Sequence, residues 1–378
     1  MNPPKPSQVR RWNRNAVAAA ALGLGASVGG LWIARAQVVQ AYWMAWIFWT
    51  GVSFGSLVLL MIHALAGGAW GEAIRRVAST SARVLPVMAV LFLPPMLGAS
   101  DLFPWLHPDY FAGHAWPHQR AYLTLPGVIT RGTGCLLVLS VWTFLLGFWS
   151  PRFLEERPKR FAGLCAGGLL LYVASMLFVS TDWVMSLEPH WYSTMLVVIF
   201  AIEHILTALA FSIVATLAFS RDPAWPVTKQ LHDLGNLLLA FVMFWAYITF
   251  SQYLITWSGN LPREISWYRH RSTGGWTLIT ATLALLQFAV PFALLLSRQT
   301  KRRRHTLAAV AALVFATNIL HVWWLIAPSL RPQLYFPLWE LAALIGLGGV
   351  WSACFLRFLP PAPLVAPPLP VEKEVAHA

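Results

Sequence analysis

The sequence predicts an all-α integral membrane protein of about ten transmembrane helices, with both termini in the cytoplasm. Three observations lead there. Of the 378 residues, 58% are hydrophobic and only 11% charged, against about 25% charged in soluble domains, and the mean hydropathy is +0.60. The apolar residues fall in runs long enough to cross ~30 Å of hydrocarbon at ~1.5 Å per residue. Threaded in order, those runs leave most of the basic residues on one side. The same numbers exclude a soluble enzyme, a nucleic-acid-binding module and a disordered scaffold. The net charge of +13 belongs to loops and lipids, with no nucleic acid as partner.

Residues 1–15 are a basic cytoplasmic lead-in carrying Lys5, Arg10, Arg11 and Arg14. The run 16–34 is rich in Ala and Gly. Retained, it is the first span; as a signal peptide it would be cleaved near Ala34-Arg35-Ala36, leaving nine spans in the same orientation. It is longer than a usual signal core, which favours retention. The second run covers 38–66. The third, 82–100, contains Pro94-Pro95, and the fourth, 124–149, contains Arg131. The fifth, 161–181, ends against Asp182, and the sixth, 191–219, holds Glu203 and His204 near its middle. The seventh, 230–258, closes with Ser251-Gln252-Tyr253, and the eighth, 273–297, contains Pro291. The ninth, 304–327, holds His321, and the tenth, 337–357, opens with Glu340. The ten-span domain is therefore 16–357. Residues 358–378 form a Pro-rich tail, expected to be extended and poorly ordered.

Loop charge tests the threading. With the N-terminus inside, 20 Lys and Arg fall on the cytoplasmic side and six on the other, Arg131 lying within a span. Such a bias marks cytoplasmic loops. Cys135, Cys165 and Cys354 lie far apart in apolar runs and no CxxC occurs. The chain thus offers no iron–sulfur ligand set, zinc site or disulfide framework, and the three thiols are expected to pack as small apolar groups. No P-loop, dinucleotide-binding glycine fingerprint or tandem repeat is present.

Ionisable residues within a bilayer are costly and are functional candidates by default. Asp101, Arg131, Asp182, Glu188, His190, Gln252, Asn260, Arg263, Glu264, His321 and Glu340 all fall toward the outer face. A quinone needs this mix: an apolar slot for ring and tail, with a donor or acceptor at each carbonyl. Quinol oxidation also needs a proton acceptor beside each hydroxyl. Glu188, His190, Arg131, Gln252, Asn260 and Glu264 are the candidate quinone contacts. The bland alternative is an ordinary interfacial belt of polar and aromatic residues. Glu203 and His204 lie near mid-membrane, where packing is a poor explanation, and with Asp182 and His190 they are the candidate proton relay. A structural polar pair is the alternative. His63, Glu72, His232, Asp233 and Asn236 lie near inner span ends, as an inner proton entrance or as solvated helix ends. His190 and His204 are 14 residues apart, which puts them roughly on one helical face. A bis-histidine haem needs a matching pair on a second span, and no other span supplies one, so no haem is expected.

Two stretches carry a family resemblance. They are Asp182–Thr194, DWVMSLEPHWYST, and Ser251–Glu264, SQYLITWSGNLPRE, the latter followed by Trp267, Tyr268 and Gly275-Trp276. With the ten spans, they resemble the NrfD-like (polysulfide reductase membrane subunit-like) family. The nearest branch is the second, shorter NrfD-like subunit of alternative complex III, a bacterial quinol:cytochrome c (or other acceptor) oxidoreductase. The resemblance implies two four-helix bundles with flanking helices in the bacterial inner membrane. It implies a second NrfD-like subunit, a periplasmic iron–sulfur protein and c-type cytochromes as partners, with a terminal oxidase as a further candidate, and menaquinol as the reductant. In that branch the subunit is placed away from the clusters and is proposed to help conduct protons. Glu188 fills the family's acid before Pro-His.

The leading expectation is an integral subunit of a quinol-oxidising respiratory complex, without a redox centre of its own, contributing an outer quinone-like pocket, a proton path or both. A secondary transporter is the first alternative; Pro94-Pro95 and Pro291 do break helices, but not at matching places in two halves, as transporter repeats require. A structural anchor that docks cytochromes is the second.

Overall fold

The computed structural model describes residues 6–111, 117–156, 158–220 and 226–359. Most of the Pro-rich tail and the first five residues lie outside that set. The described chain is helical throughout, in the order α1 (Pro6–Ala66), α2 (Ala69–Ala82), α3 (Leu85–Val90), α4 (Leu93–Met96), α5 (Pro117–Tyr122), α6 (Leu125–Glu156), α7 (Pro158–Trp183), α8 (Thr194–Phe219), α9 (Thr228–Gly259), α10 (Pro262–His270), α11 (Trp276–Leu283), α12 (Val290–Leu296), α13 (Arg298–Arg302), α14 (Arg304–Leu330) and α15 (Leu338–Phe358). Among the described residues nine helices or helical runs are long and apolar enough to cross a membrane. The chain is a multi-pass helical membrane protein.

Nine are counted where ten runs are expected because the first two runs, the two arms of a hairpin, are joined in one 61-residue helix interrupted only at Ala34 (φ −148°, ψ 57°). That residue reverses the chain. Before it, Ala20 touches Gly349, Gly23 touches Gly346 and Gly30 touches Trp339, so the two helices run antiparallel. After it, Trp49 Nε1 donates to Leu344 O and Trp351 Nε1 to Ser53 Oγ, so the sense is parallel. The two arms of α1 thus flank α15 as a hairpin. Small residues make the seam. A Cβ on Gly23 would sit 2.4 Å from the Gly346 amide nitrogen, and one on Gly349 2.4 Å from that of Ala20. Close backbone approach at small residues is what holds helices together where both partners and lipid are apolar.

The expected third span also changes. It begins at Ala69, not 82, and is broken into α2, α3 and α4. The breaks follow from Pro86, Pro94 and Pro95, at the second, second and third positions of short helices, within the first turn, where a missing N–H costs no intrahelical bond. Arg75, Arg76 and Arg83, expected in a loop, therefore lie in this helical run. The eighth span is continuous but contains a π turn at Ala284–Ala289, just before Pro291. Such bulges mark places where the backbone ladder is re-aimed. Helix α9 stops at Asn260, in the left-handed region (φ 47°), whose amide N–H donates to Thr256 O; Asn tolerates that conformation and Pro262 then opens α10.

Helix α8 is central, packing on α1, α7, α9 and α14. Two ends of the molecule differ in chemistry. Trp12 meets Phe219 and Phe219 meets Phe355, so the start of α1 and the ends of α8 and α15 share one end. Arg304 donates to the Leu217 and Ser220 carbonyls there, and Lys301 Nζ to Asn236 Oδ1 (2.7 Å). Both described termini therefore lie at this basic end. The opposite, polar end holds Arg35, Asp101, Arg131, Asp182, Glu188, Arg271, Arg331 and Glu340.

Candidate functional site

The polar end is a set of closed ion pairs. Arg35 meets Asp101 at 3.0 Å. Arg131 donates through Nε and Nη2 to the two oxygens of Asp182 (2.8 and 3.0 Å), also reaches Tyr122 O, and lies over the Tyr122 ring. Glu188 receives Arg271 Nη1 (3.1 Å) and Ser329 Oγ (2.5 Å), with His270 Nδ1 3.1 Å from its other oxygen. Arg331 pairs closely with Glu340. Arg271, only 1% exposed, also donates to Trp267 O, Leu325 O and Ser329 Oγ and lies 3.5 Å over Trp267. Burial pulls its pKa down to about 10, with Glu188 pulling upward, so it stays a cation at neutral pH. Arg271 ties the 188 loop, α10 and α14 together. By sequence it counts only as a loop charge, although it lies three residues beyond the Trp267-Tyr268 pair that follows the second motif.

His190 is exposed and stacks on Tyr110 (5.1 Å, 16°), while its carbonyl accepts from Arg263 Nε (2.6 Å). Burial and the Glu188 charge push the Tyr110 phenol up to about 12. Asn260 caps α9, and Glu264 offers its carbonyl to Trp191 Nε1 (3.2 Å). These expected quinone contacts thus serve separate local tasks: Arg131 belongs to Asp182, Glu188 to Arg271, Asn260 to a helix end.

The middle of the membrane is different. Among the described residues three acids are buried: Asp182, Glu203 and Glu340. Two face arginines; Glu203 faces His321, with Oε2 3.2 Å from Nδ1 and both side chains within 1% of full burial. Glu203 is the tenth residue of α8, about 14 Å from its polar end at ~1.5 Å per residue, and His321 lies at a matching depth on α14. Neither carboxylate oxygen nor either ring nitrogen makes a hydrogen bond to a described residue. His204, expected as Glu203's partner, turns the other way. Its Nδ1 lies 3.2 Å from the Tyr172 hydroxyl, and its ring packs on Phe54 and Phe200 against Gly51, with Gly55 against its backbone carbonyl. Adjacent helical residues point ~100° apart, so the acid and the imidazole enter different inter-helix spaces.

A cavity of about 860 Å³ opens beside His321, between α9, α10, the α11–α12 run and α14. Its walls are aromatic and aliphatic, including Trp245, Phe288 and Trp324; Arg271 and Thr280 lie toward the polar end and His321 at depth. Tyr247, Phe250 and Trp257 on its rim are 65%, 61% and 66% exposed on the lateral apolar surface. None of the six residues expected to contact a quinone lines this cavity. Gln252 comes nearest to that role: it is 3% exposed and neither end of its amide has a described partner. It shares a face of α9 with Trp245 and Thr249, whose Nε1 and Oγ1 are likewise unpartnered, the spacing being that of helical neighbours. Trp245 stands edge-on to His321 at 5.1 Å. One turn toward the basic end, Gln287 of the π turn donates to Asn318 Oδ1 (2.8 Å).

At the expected inner entrance, His63 Nε2 sits 3.1 Å from Gly68 O and edge-on to Trp70, a local clasp of the α1–α2 turn. Among the described residues, no three His, Cys, Asp or Glu side chains gather as a metal ion requires. The chain matches no protein-family model and no curated protein sequence.

Proposed function

We propose that the chain is a membrane subunit of a quinol:electron-acceptor (cytochrome c) oxidoreductase of the NrfD-like kind, and that its own task is to move protons. The observation that carries this reading is the Glu203–His321 pair. Asp182 and Glu340 are closed off by arginines. An acid 3.2 Å from an imidazole can share and pass one proton, since carboxylate and imidazole both serve as proton donors and acceptors. Unpartnered polar atoms of Gln252, Thr249 and Trp245 and the Asn318–Gln287 pair lie on either side of it. They supply hydrogen-bonding steps toward both ends of the molecule.

In this reading the basic end faces the cytoplasm, both termini are cytoplasmic, the helices form two four-helix bundles with flanking helices, and the membrane is the bacterial inner membrane. Menaquinol supplies electrons and protons to the assembly. The electrons pass through a second NrfD-like subunit, an iron–sulfur protein and c-type cytochromes, since the sequence of this chain supplies no redox centre. Of the expected outer contacts, Arg131 is engaged by Asp182 and Glu188 by Arg271, so this reading assigns those two no quinone.

The test is proton translocation by the purified complex in liposomes, driven by a menaquinol analogue. Glu203→Gln and His321→Ala should each lower the proton yield per electron several-fold, while electron transfer continues. His204→Phe should leave the yield unchanged. Proton yield that survives both changes at Glu203 and His321 would leave the pair a structural contact and favour a docking role for the chain.

A further inference from the structure

We propose that the lateral cavity between α9, α10 and α14 holds an anionic phospholipid, with an acyl chain along its aromatic walls and the phosphate against Arg269. Depth is the first observation. On α9 the lining runs from Trp257 inward to Met243, ~21 Å along the axis, and on the α11–α12 run from Thr280 to Phe292, ~18 Å. A bilayer with its headgroup regions is ~40–45 Å thick, so the slot is one leaflet deep, the length of one lipid. It starts at the polar end, beside Arg271, and stops at Met243, short of Asn236 at the basic end. The second observation is its lining. The inner walls are rings and aliphatic groups, among them Phe250, Leu283, Phe288 and Phe292. An ordered water needs two to four polar partners; an acyl chain needs none, and the exposed rim at Tyr247, Phe250 and Trp257 lets it enter from the bilayer. The third is charge. Of the two arginines lining the cavity, Arg271 is buried and held by Glu188, Leu325 O and Ser329. Arg269 is exposed and in no ion pair with a described acid. Glu264, the acid of α10, is directed to the end of α9, its Oε2 4.0 Å from where a Cβ on Gly259 would sit. Tyr253 and Trp257 beside the mouth are of the types that gather at headgroup depth. One free guanidinium complements one phosphate. Among the described residues no carboxylate lines the slot to receive the ammonium of a zwitterionic lipid, which favours an anionic headgroup. The site stands on this geometry and owes nothing to the proton reading.

The experiment places the purified protein in phosphatidylcholine nanodiscs with a trace of phosphatidylglycerol carrying a diazirine near the end of one acyl chain, and maps the photolabelled peptides. Label is expected on segments 243–250 and 283–292 and should fall when unlabelled phosphatidylglycerol is added. A phosphatidylcholine probe with the same diazirine should label these segments about fivefold less. Arg269→Gln, at an exposed position, should bring the phosphatidylglycerol probe down to that level, the contribution of one basic group at an anionic lipid surface. Ala284→Trp fills the slot from an exposed lining position and should abolish the label. Leu170→Trp, on the exposed face of α7, should leave it unchanged. Label spread evenly over the lipid-facing helices and unmoved by Ala284→Trp would overturn the site. Equal labelling by the two probes, or a preference that survives Arg269→Gln, would overturn the role of Arg269 and the anionic class. Displacement by menaquinone at lower concentration than by phosphatidylglycerol would give the cavity to a quinone and equally overturn the proposal. The proton reading is judged on proton yield in the Glu203→Gln protein, so either can fail alone.

Discussion

Asp182 and Glu203 show how one residue type takes opposite roles at similar burial. Each is 1% exposed. Asp182 has a bidentate arginine; Glu203 has an imidazole and no hydrogen bond. Removing Arg131 strands a buried carboxylate, and breaking such pairs costs about 3–5 kcal/mol. Arg131→Met should therefore lower the thermal unfolding midpoint of the solubilised protein sharply, and Asp182→Asn on top of it should recover most of the loss. If the single change were silent, Asp182 would be satisfied by something other than Arg131. Glu203→Gln keeps shape and removes only the charge, so the midpoint should shift by less than the equivalent of ~1 kcal/mol. The depth of Glu203 is legible in the sequence from its place within an apolar run. Its partner is not. Sequence neighbours invite pairing, yet Glu203 and His204 are fixed on different faces by helical geometry, and His321 lies 118 positions away along the chain. A tertiary partner of that kind carries no local signal. Arg271 is hidden for the same reason: a charge beside a turn looks solvated until α14 is packed over it.

At the scale of elements, the lengths and apolar character of the runs locate nearly every helix, because bilayer thickness dictates them. Helix ends are less legible. The start of α2 is obscured because Gly71-Glu72 and Arg75-Arg76 suggest a loop, while Ile74 and Val77 on the same stretch are buried. The join at Ala34 is invisible, since nothing in Ile33-Ala34-Arg35 announces a reversal. The α1–α15 seam gives the clearest element-level prediction. Gly349→Val forces side-chain atoms into the Ala20 backbone, and overpacking of this kind costs about 1–3 kcal/mol. Gly25 lies on the same arm of α1, and a Cβ there would meet no atom within 4 Å, so Gly25→Val should be near neutral. Thermal unfolding of the two variants side by side checks the seam; equal midpoints would mean that the first arm of α1 does not pack on α15 as described.

For the whole molecule, the decisive question is which end faces which compartment, because the direction of any proton path follows from it. The α1 hairpin brings the start of α1 and the end of α15 to one end, the end that also carries Lys301 and Arg304. Even when Arg75, Arg76 and Arg83, now within the α2–α3 stretch, are taken from the 20 basic residues on that side, 17 remain against six, a bias that supports the proposed inside assignment. Single cysteines at Arg14 and Ser272, both exposed and at opposite ends, test this in a background lacking Cys135, Cys165 and Cys354. A membrane-impermeant maleimide should reach Arg14→Cys only in inverted vesicles and Ser272→Cys only in right-side-out ones. Labelling of both from one side would break the packing itself. Labelling from the opposite sides would keep the fold but turn it over. Glu203 and His321, about 14 Å from the polar end, would then lie nearer the cytoplasm than the periplasm. The proposed proton route through Asn318 and Gln287 would then point outward instead of inward.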